Sequence, residues 1–138
     1  MRALVQRVTR ASVALDDDLV SQIGPGMLVL LGVGEGDGEE EAERLAGKLA
    51  RLRIFDDAEG RMNEPLGDRE ALCVSQFTLY ADTSRGNRPG YTGAAGPDAA
   101  EPLYELLCEL LGAERGVFGA RMAVELVNDG PVTLFLEA

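Results

Sequence analysis

The chain has no histidine in its 138 residues. That absence removes every Ser-His-Asp and Cys-His catalytic arrangement and every zinc site with imidazole ligands. Any chemistry must come from carboxylates, hydroxyls, amides, backbone groups or the substrate itself. Cysteine is scarce: Cys73 and Cys108 are too few for a cysteine-only zinc site or a disulfide framework. Both lie in apolar runs and read as buried thiols in a reducing compartment. Lysine is almost missing, with Lys48 alone among 13 cations, against 24 acids and a net charge of −11. So acidic a chain is ill suited to broad binding of duplex nucleic acid or anionic membranes. Its arginines suit bidentate recognition of individual phosphates instead. No run approaches the ~20 apolar residues that span a bilayer. The opening Met1-Arg2-Ala3-Leu4-Val5-Gln6-Arg7 has no apolar stretch like that of a secretory leader. The expectation is a soluble, cytoplasmic protein.

What is present is a sequence of one-domain length and ordinary globular composition. Arg2 to Val8 and Ala11 to Leu15 read as strand, Asp16-Asp17-Asp18 as a turn, and Leu19 to Ile23 as the partner of a hairpin. Met27 to Val33 is a continuous apolar run, the pattern of a strand buried on both faces. Asp37 followed by Glu40 reads as a capping box, opening an amphipathic helix from Gly38 to about Leu52. A short strand at Arg53 to Phe55, a polar loop from Asp56 to Asp68 and a buried strand from Ala71 to Leu79 follow. Asp82 to Pro97, rich in Gly, Pro, Ser and Thr, reads as a long loop, and such loops are usually functional or disordered. Asp98 with Glu101 predicts a second cap, and Leu103, Leu107 and Leu110 the buried stripe of a second helix. Strands Arg121 to Val127 and Val132 to Leu136 then flank Asn128-Asp129-Gly130-Pro131. The order predicts one α+β domain: a largely antiparallel, barrel-like sheet with two amphipathic helices.

Five segments carry candidate chemistry. Gly32-Val33-Gly34-Glu35-Gly36-Asp37-Gly38 joins a strand to a helix, but Asp37 stands where a dinucleotide fingerprint needs glycine. It reads as a plain turn, and no cofactor is expected. The acidic stretches Asp16 to Asp18 and Asp56 to Gly60 lack the spacing of a calcium loop and read as solvated turns, so no metal is expected. Ser75-Gln76-Phe77-Thr78 ends an apolar strand. It is either a strand emerging at the surface or a strand end that offers side chains and backbone N–H groups to a ligand. Asn128 to Thr133 is either a hairpin turn or a shaped backbone element. A Gly-Pro bond has a low cis penalty, and Gly24-Pro25, Gly96-Pro97 and Gly130-Pro131 are equally eligible.

These last two segments resemble the D-aminoacyl-tRNA deacylases. That family carries a Ser-Gln-Phe-Thr motif and an Asn-x-Gly-Pro-x-Thr motif, complete here at Ser75 to Thr78 and Asn128 to Thr133. The stretch Gln6 to Val13, Arg53-Ile54-Phe55, Met62-Asn63 and the Arg88-Pro89 loop also match, and the likeness is collinear from Met1 to about Leu136. The Gly34 to Gly38 stretch departs from it in its richness in glycine, and the chain departs in its scarcity of lysine. The resemblance implies a cytoplasmic homodimer with its active sites at the subunit interface. It implies hydrolysis of the ester that joins a D-amino acid, or mischarged glycine, to the 3′-terminal adenosine of tRNA. Neither DNA nor a membrane is an expected partner. The resemblance also implies a cis Gly130-Pro131 peptide that projects carbonyls into the partner's site as a chiral filter, braced by Arg7. Phe118 and Met122 are implied to line the pocket near the adenosine, and Ser75, Gln76, Phe77 and Thr78 to form the catalytic strand.

An aminoacyl ester is already activated, so the enzyme must mainly orient it and stabilise an oxyanion. Backbone N–H groups around Gln76 and Phe77 suit that task. Water as nucleophile, helped by the substrate's 2′-hydroxyl, is preferred over Thr78, which has no neighbouring base. A non-catalytic RNA- or nucleotide-binding dimer and a Thr78-dependent esterase are the competing readings.

Overall fold

In the computed structural model, which describes residues 1–138, the chain begins with one long strand, β1 (Arg2–Leu15). Ala3 and Val5 are buried on one face, then Thr9 and Arg10 are exposed and burial resumes at Ala11 and Val13. The two expected segments are thus one strand whose alternation slips at Thr9-Arg10. Asp16, at φ 53°, turns the chain in the left-handed region that Asp tolerates, and β2 (Asp18–Ile23) returns antiparallel. β3 (Gly26–Gly32) pairs antiparallel with the first half of β1 and is buried on both faces, as its apolar run predicts.

The first helix, α1 (Glu39–Arg51), buries Ala42, Leu45, Ala46 and Leu49. Its cap differs from expectation. Gly38 occupies the N-cap and its N–H donates to Glu41 at 2.8 Å, while Asp37 turns back to accept from the Gly34 N–H at 2.7 Å. The box is displaced by one residue because Asp37 satisfies the preceding turn instead. A two-residue strand β4 (Phe55–Asp56) pairs with β5 (Met62–Glu64), a small ribbon inside the expected loop.

β6 (Glu70–Ser75) lies parallel to β3 and ends four residues earlier than its apolar run predicts. The chain instead tightens into a 3₁₀ helix, Phe77–Tyr80. The second helix, α2 (Pro97–Leu111), is capped by Gly96 with Pro97 at its first position, not by Asp98. Its buried stripe is Ala100, Leu103, Tyr104, Leu107 and Cys108; Leu110, expected inside, is half exposed. β7 (Glu114–Arg115) adds a short parallel edge to β6. Finally β8 (Ala123–Glu137) runs antiparallel along all of β1, so the expected pair of strands is a single strand.

The sheet order is β2-β1-β3-β6-β7, with β8 on β1. Its pairs around β1 are antiparallel and those around β6 parallel, giving a mixed, nearly closed barrel-like sheet. The two helices lie side by side over one face, above a core that includes Val5, Val29, Leu31, Leu45, Leu49 and Leu107. Val8, Val13, Ile23, Leu28, Leu72 and Val74 fill the curl on the other face. Cys73 and Cys108 are both buried and free. No helix is long and apolar enough to cross a membrane.

Candidate active site

A cavity of about 590 Å³ opens beside the end of β6. Ser75, Gln76 and Phe77 form one wall, Tyr91 with Ala94 to Pro97 a second, and Phe118 to Ala120 with Met122 and Val124 a third. Its lining is mostly apolar, with the polar groups gathered where β6 turns into the 3₁₀ helix. Phe77 is 55% exposed and meets Tyr91 edge-on, ring centres 4.9 Å apart. Phe118 leans on Tyr104 at 5.9 Å, and the Met122 sulfur accepts from the Val117 N–H at 3.4 Å, which ties the third wall together.

The turn out of β6 corrects one expectation. On a strand Gln76 and Thr78 would share a face; in the 3₁₀ helix they meet directly, the Gln76 Nε2 donating to the Thr78 hydroxyl. The Gln76 N–H is committed to the Leu31 carbonyl at 2.7 Å, so it is not a free donor. The N–H groups of Phe77 and Thr78 open the 3₁₀ helix and have no acceptor within it. No carboxylate hydrogen-bonds to Thr78, and an amide is no base in either orientation.

Two residues overlooked by pattern hold this helix in place. Arg2 donates to the Leu79 carbonyl at 3.0 Å and its guanidinium lies 4.3 Å from the Tyr80 ring centre. Gly34 passes under that ring so closely that a Cβ there would sit 2.6 Å from the Tyr80 oxygen. Burial, reinforced by Asp37, pushes the Tyr80 phenol up to about 12. Neither Arg2 nor Tyr80 belongs to a recognisable motif, and the one available signal was the unexpected glycine at 34. Tyr91 was missed too, although a lone aromatic in a loop of Gly, Pro and Ser is itself a signal.

Gly130 and Pro131 lie elsewhere. Gln6 pairs with Thr133 and Val8 with Asn128, so Asp129 to Val132 bulge opposite a single residue, Arg7. Of the two readings of Asn128 to Thr133, the structure has the shaped backbone element and not the hairpin turn, and within it the Gly130-Pro131 peptide is cis while the other two Gly-Pro bonds are not. Asn128 accepts from the Val132 N–H at 3.3 Å and donates to the Thr133 hydroxyl at 3.0 Å, closing the bulge on itself. Arg7, the one buried charged residue, donates to the Asp129 carbonyl at 3.2 Å, the Ile54 carbonyl at 2.9 Å and the Asp56 carboxylate at 3.3 Å. Gly130 is required here: φ is +119°, and a Cβ would stand 3.0 Å from the Arg7 guanidinium. Arg7 and Asp129 line a smaller recess of about 200 Å³ with Phe55, Asp56 and Arg69, and share no wall with the first cavity. Ser75, Gln76, Phe77, Phe118 and Met122 therefore come together, with Thr78 beside them, while Arg7, Gly130 and Pro131 form a second, separate group.

Comparison with known proteins identifies the family of the chain. The family profile described as D-Tyr-tRNA(Tyr) deacylase matches residues 4–137. The chain belongs to that family. Among its relatives, the D-aminoacyl-tRNA deacylase of Dinoroseobacter shibae is 56% identical, the match covering 99% of each chain. That of Desulforamulus reducens is 50% identical over all of this chain and 97% of its own. Among solved structures, the c-Myc DNA Unwinding Element Binding Protein superposes with a TM-score of 0.94 at 40% identity, covering 100% of this chain and 99% of its own. A probable eukaryotic D-amino acid tRNA deacylase superposes at 0.84 with 17% identity over 99% of this chain and 98% of its own, a likeness of fold.

Proposed function

We propose that this protein is a D-aminoacyl-tRNA deacylase, hydrolysing the ester between a D-amino acid, or mischarged glycine, and the 3′-terminal adenosine of tRNA. Family membership along essentially the whole chain carries the activity; the cavity at the end of β6 carries its location. The apolar walls take the adenosine, with Phe77, Phe118 and Met122 as the surfaces it rests on. Water adds to the ester carbonyl, and the Phe77 N–H stabilises the oxyanion, a kind of contact worth ~3 kcal/mol. The C–O bond then breaks, the amino acid leaves as its carboxylic acid, and the terminal ribose recovers its hydroxyl. The proton travels through the substrate's 2′-hydroxyl, a route supported by the lack of any base at Thr78. Thr78 positions; it does not attack.

The enzyme works as a homodimer in the cytoplasm, where aminoacyl-tRNA is made and used. The separation of the Gly130-Pro131 bulge from the cavity within one protomer supports a site completed across the interface. The partner's bulge receives the substrate ammonium on its carbonyls and leaves space on the α-carbon for a hydrogen or a D side chain only. An L side chain meets backbone. Incubation with matched D- and L-tyrosyl-tRNA tests the reading: the D ester is cleaved and the L ester spared. Cleavage of both alike would reduce the protein to a general esterase, and cleavage of neither to a binding module.

A further inference from the structure

A chain of charge −11 must still hold a polyanion, and its cations are sorted. Arg2, Arg7, Arg10, Arg44, Arg61 and Arg69 are engaged in ion pairs with acids of this chain. Lys48, Arg51, Arg53 and Arg115 are in no ion pair, and neither are Arg85, Arg88 and Arg121, which are exposed and make no hydrogen bond to the rest of the chain. All three belong to segments that frame the cavity. Asp82 and Gly90 exchange two backbone hydrogen bonds, at 2.8 and 2.9 Å, closing a hairpin that carries Arg85 and Arg88. Its C-terminal end leads straight into Tyr91, which touches Phe77 on the cavity wall. Across the mouth, Gly116 to Val124 carries Arg121 and no acid, and Arg121 sits between the lining residues Ala120 and Met122. The hairpin's single acid, Asp82, faces its own loop: its Oδ1 accepts from the Ser84 N–H at 2.9 Å, and the Ser84 hydroxyl and N–H hold the carboxyl below its usual range.

We propose that Arg85 and Arg88 on one rim and Arg121 on the other form the phosphate clamp for the acceptor end of tRNA, an inference that rests on the deacylase reading. The ligand is the RNA backbone, since free guanidinium groups carried on opposite rims can reach successive phosphates whatever the bases. Net negative charge elsewhere on the chain repels the remainder of the tRNA, so binding concentrates on this mouth. Few contacts mean fast release after hydrolysis.

The test uses the Arg85→Ala/Arg88→Ala and Arg121→Ala variants of the full chain and the triple variant that combines them, with Arg51→Ala as comparison; Arg51 sits on the last turn of α1 and lines no part of the cavity. Uncharged tRNA is titrated at several salt concentrations, and kcat/KM is measured on D-aminoacyl-tRNA and on the D-aminoacyl ester of adenosine alone. With all three arginines removed, the slope of log K against log salt is expected to shrink by about 2, at ~0.7 per neutralised phosphate. The preference for the tRNA ester over the adenosine ester should fall about tenfold, mainly through KM. Arg51→Ala should move neither. An unchanged slope overturns the proposal, and so does an equal loss on both esters, which would make the arginines part of the cavity wall. A shift in dimer dissociation with the tRNA slope intact would assign them to a second copy of the chain and overturn it too. If the unaltered protein cleaves neither ester yet the slope falls as stated, the deacylase reading fails while the clamp stands.

Discussion

Thr78 sits in a motif that invites a nucleophile, and its surroundings argue against one. Its hydroxyl accepts from an amide and meets no group able to take its proton. Thr78→Ala should therefore retain measurable deacylation, with no acyl adduct on the native chain by mass spectrometry. A trapped acyl-Thr78 would overturn the positioning role. Arg7 carries the opposite expectation. Its buried guanidinium joins β1 to Asp56, Ile54 and the Asp129 carbonyl, so removing it frees the bulge and leaves buried acceptors unpaired. Arg7→Ala should cost about 2 kcal/mol in denaturant unfolding, and turnover should fall by more than the folded fraction does. Arg7 was legible from the sequence through resemblance alone; nothing in the composition or spacing marks an arginine on a strand as buried.

The 3₁₀ helix is where local pattern failed. Phe77, Thr78 and Leu79 keep a β-prone character, yet Leu79 and Tyr80 pack back against Gly32 and Gly34, which requires the chain to turn. That close approach is a tertiary fact, absent from any window of sequence. The bulge at Asn128 to Thr133 is similar: Asn, Asp, Gly and Pro announce a break but cannot say whether the chain reverses or continues. The strand segments, both helices and the buried cysteines were readable because periodicity and apolar runs report burial directly, although the joining of segments into the single strands β1 and β8 was not. Gly34→Ala should displace the Tyr80 ring and cost about 1–3 kcal/mol, lowering Tm and activity together. Tyr80 also sets an alkaline limit. Its folded pKa stands above the ordinary phenol value, so the unfolded chain loses its proton first. Stability should fall as pH rises from about 10 toward about 12. Tyr80→Phe should remove that part of the decline, and absorbance titration should lose one late-ionising tyrosine.

At the scale of the whole molecule, the cavity and the Gly130-Pro131 bulge are separate features of one protomer. Under the proposed function, a site needing both would be built twice in a symmetric dimer, each from one protomer's cavity and its partner's bulge. This permits a complementation experiment. Gly130→Val spoils the bulge, because φ +119° excludes a branched side chain and the added atoms press on Arg7 and Val132. Phe77→Asp spoils the cavity by setting a carboxylate in its wall, beside the proposed oxyanion position. Each variant alone should be nearly inactive toward D-aminoacyl-tRNA while remaining dimeric by sedimentation. When the two are mixed, dissociated and reassociated, each mixed dimer holds one site with an unaltered cavity facing an unaltered bulge, and one site doubly spoiled. Random pairing should return about a quarter of the wild-type rate. Recovery at that level requires a site shared between protomers. No recovery, in a mixture shown to contain mixed dimers, would mean that each protomer closes its own site and that the bulge reaches its cavity by a movement within one chain.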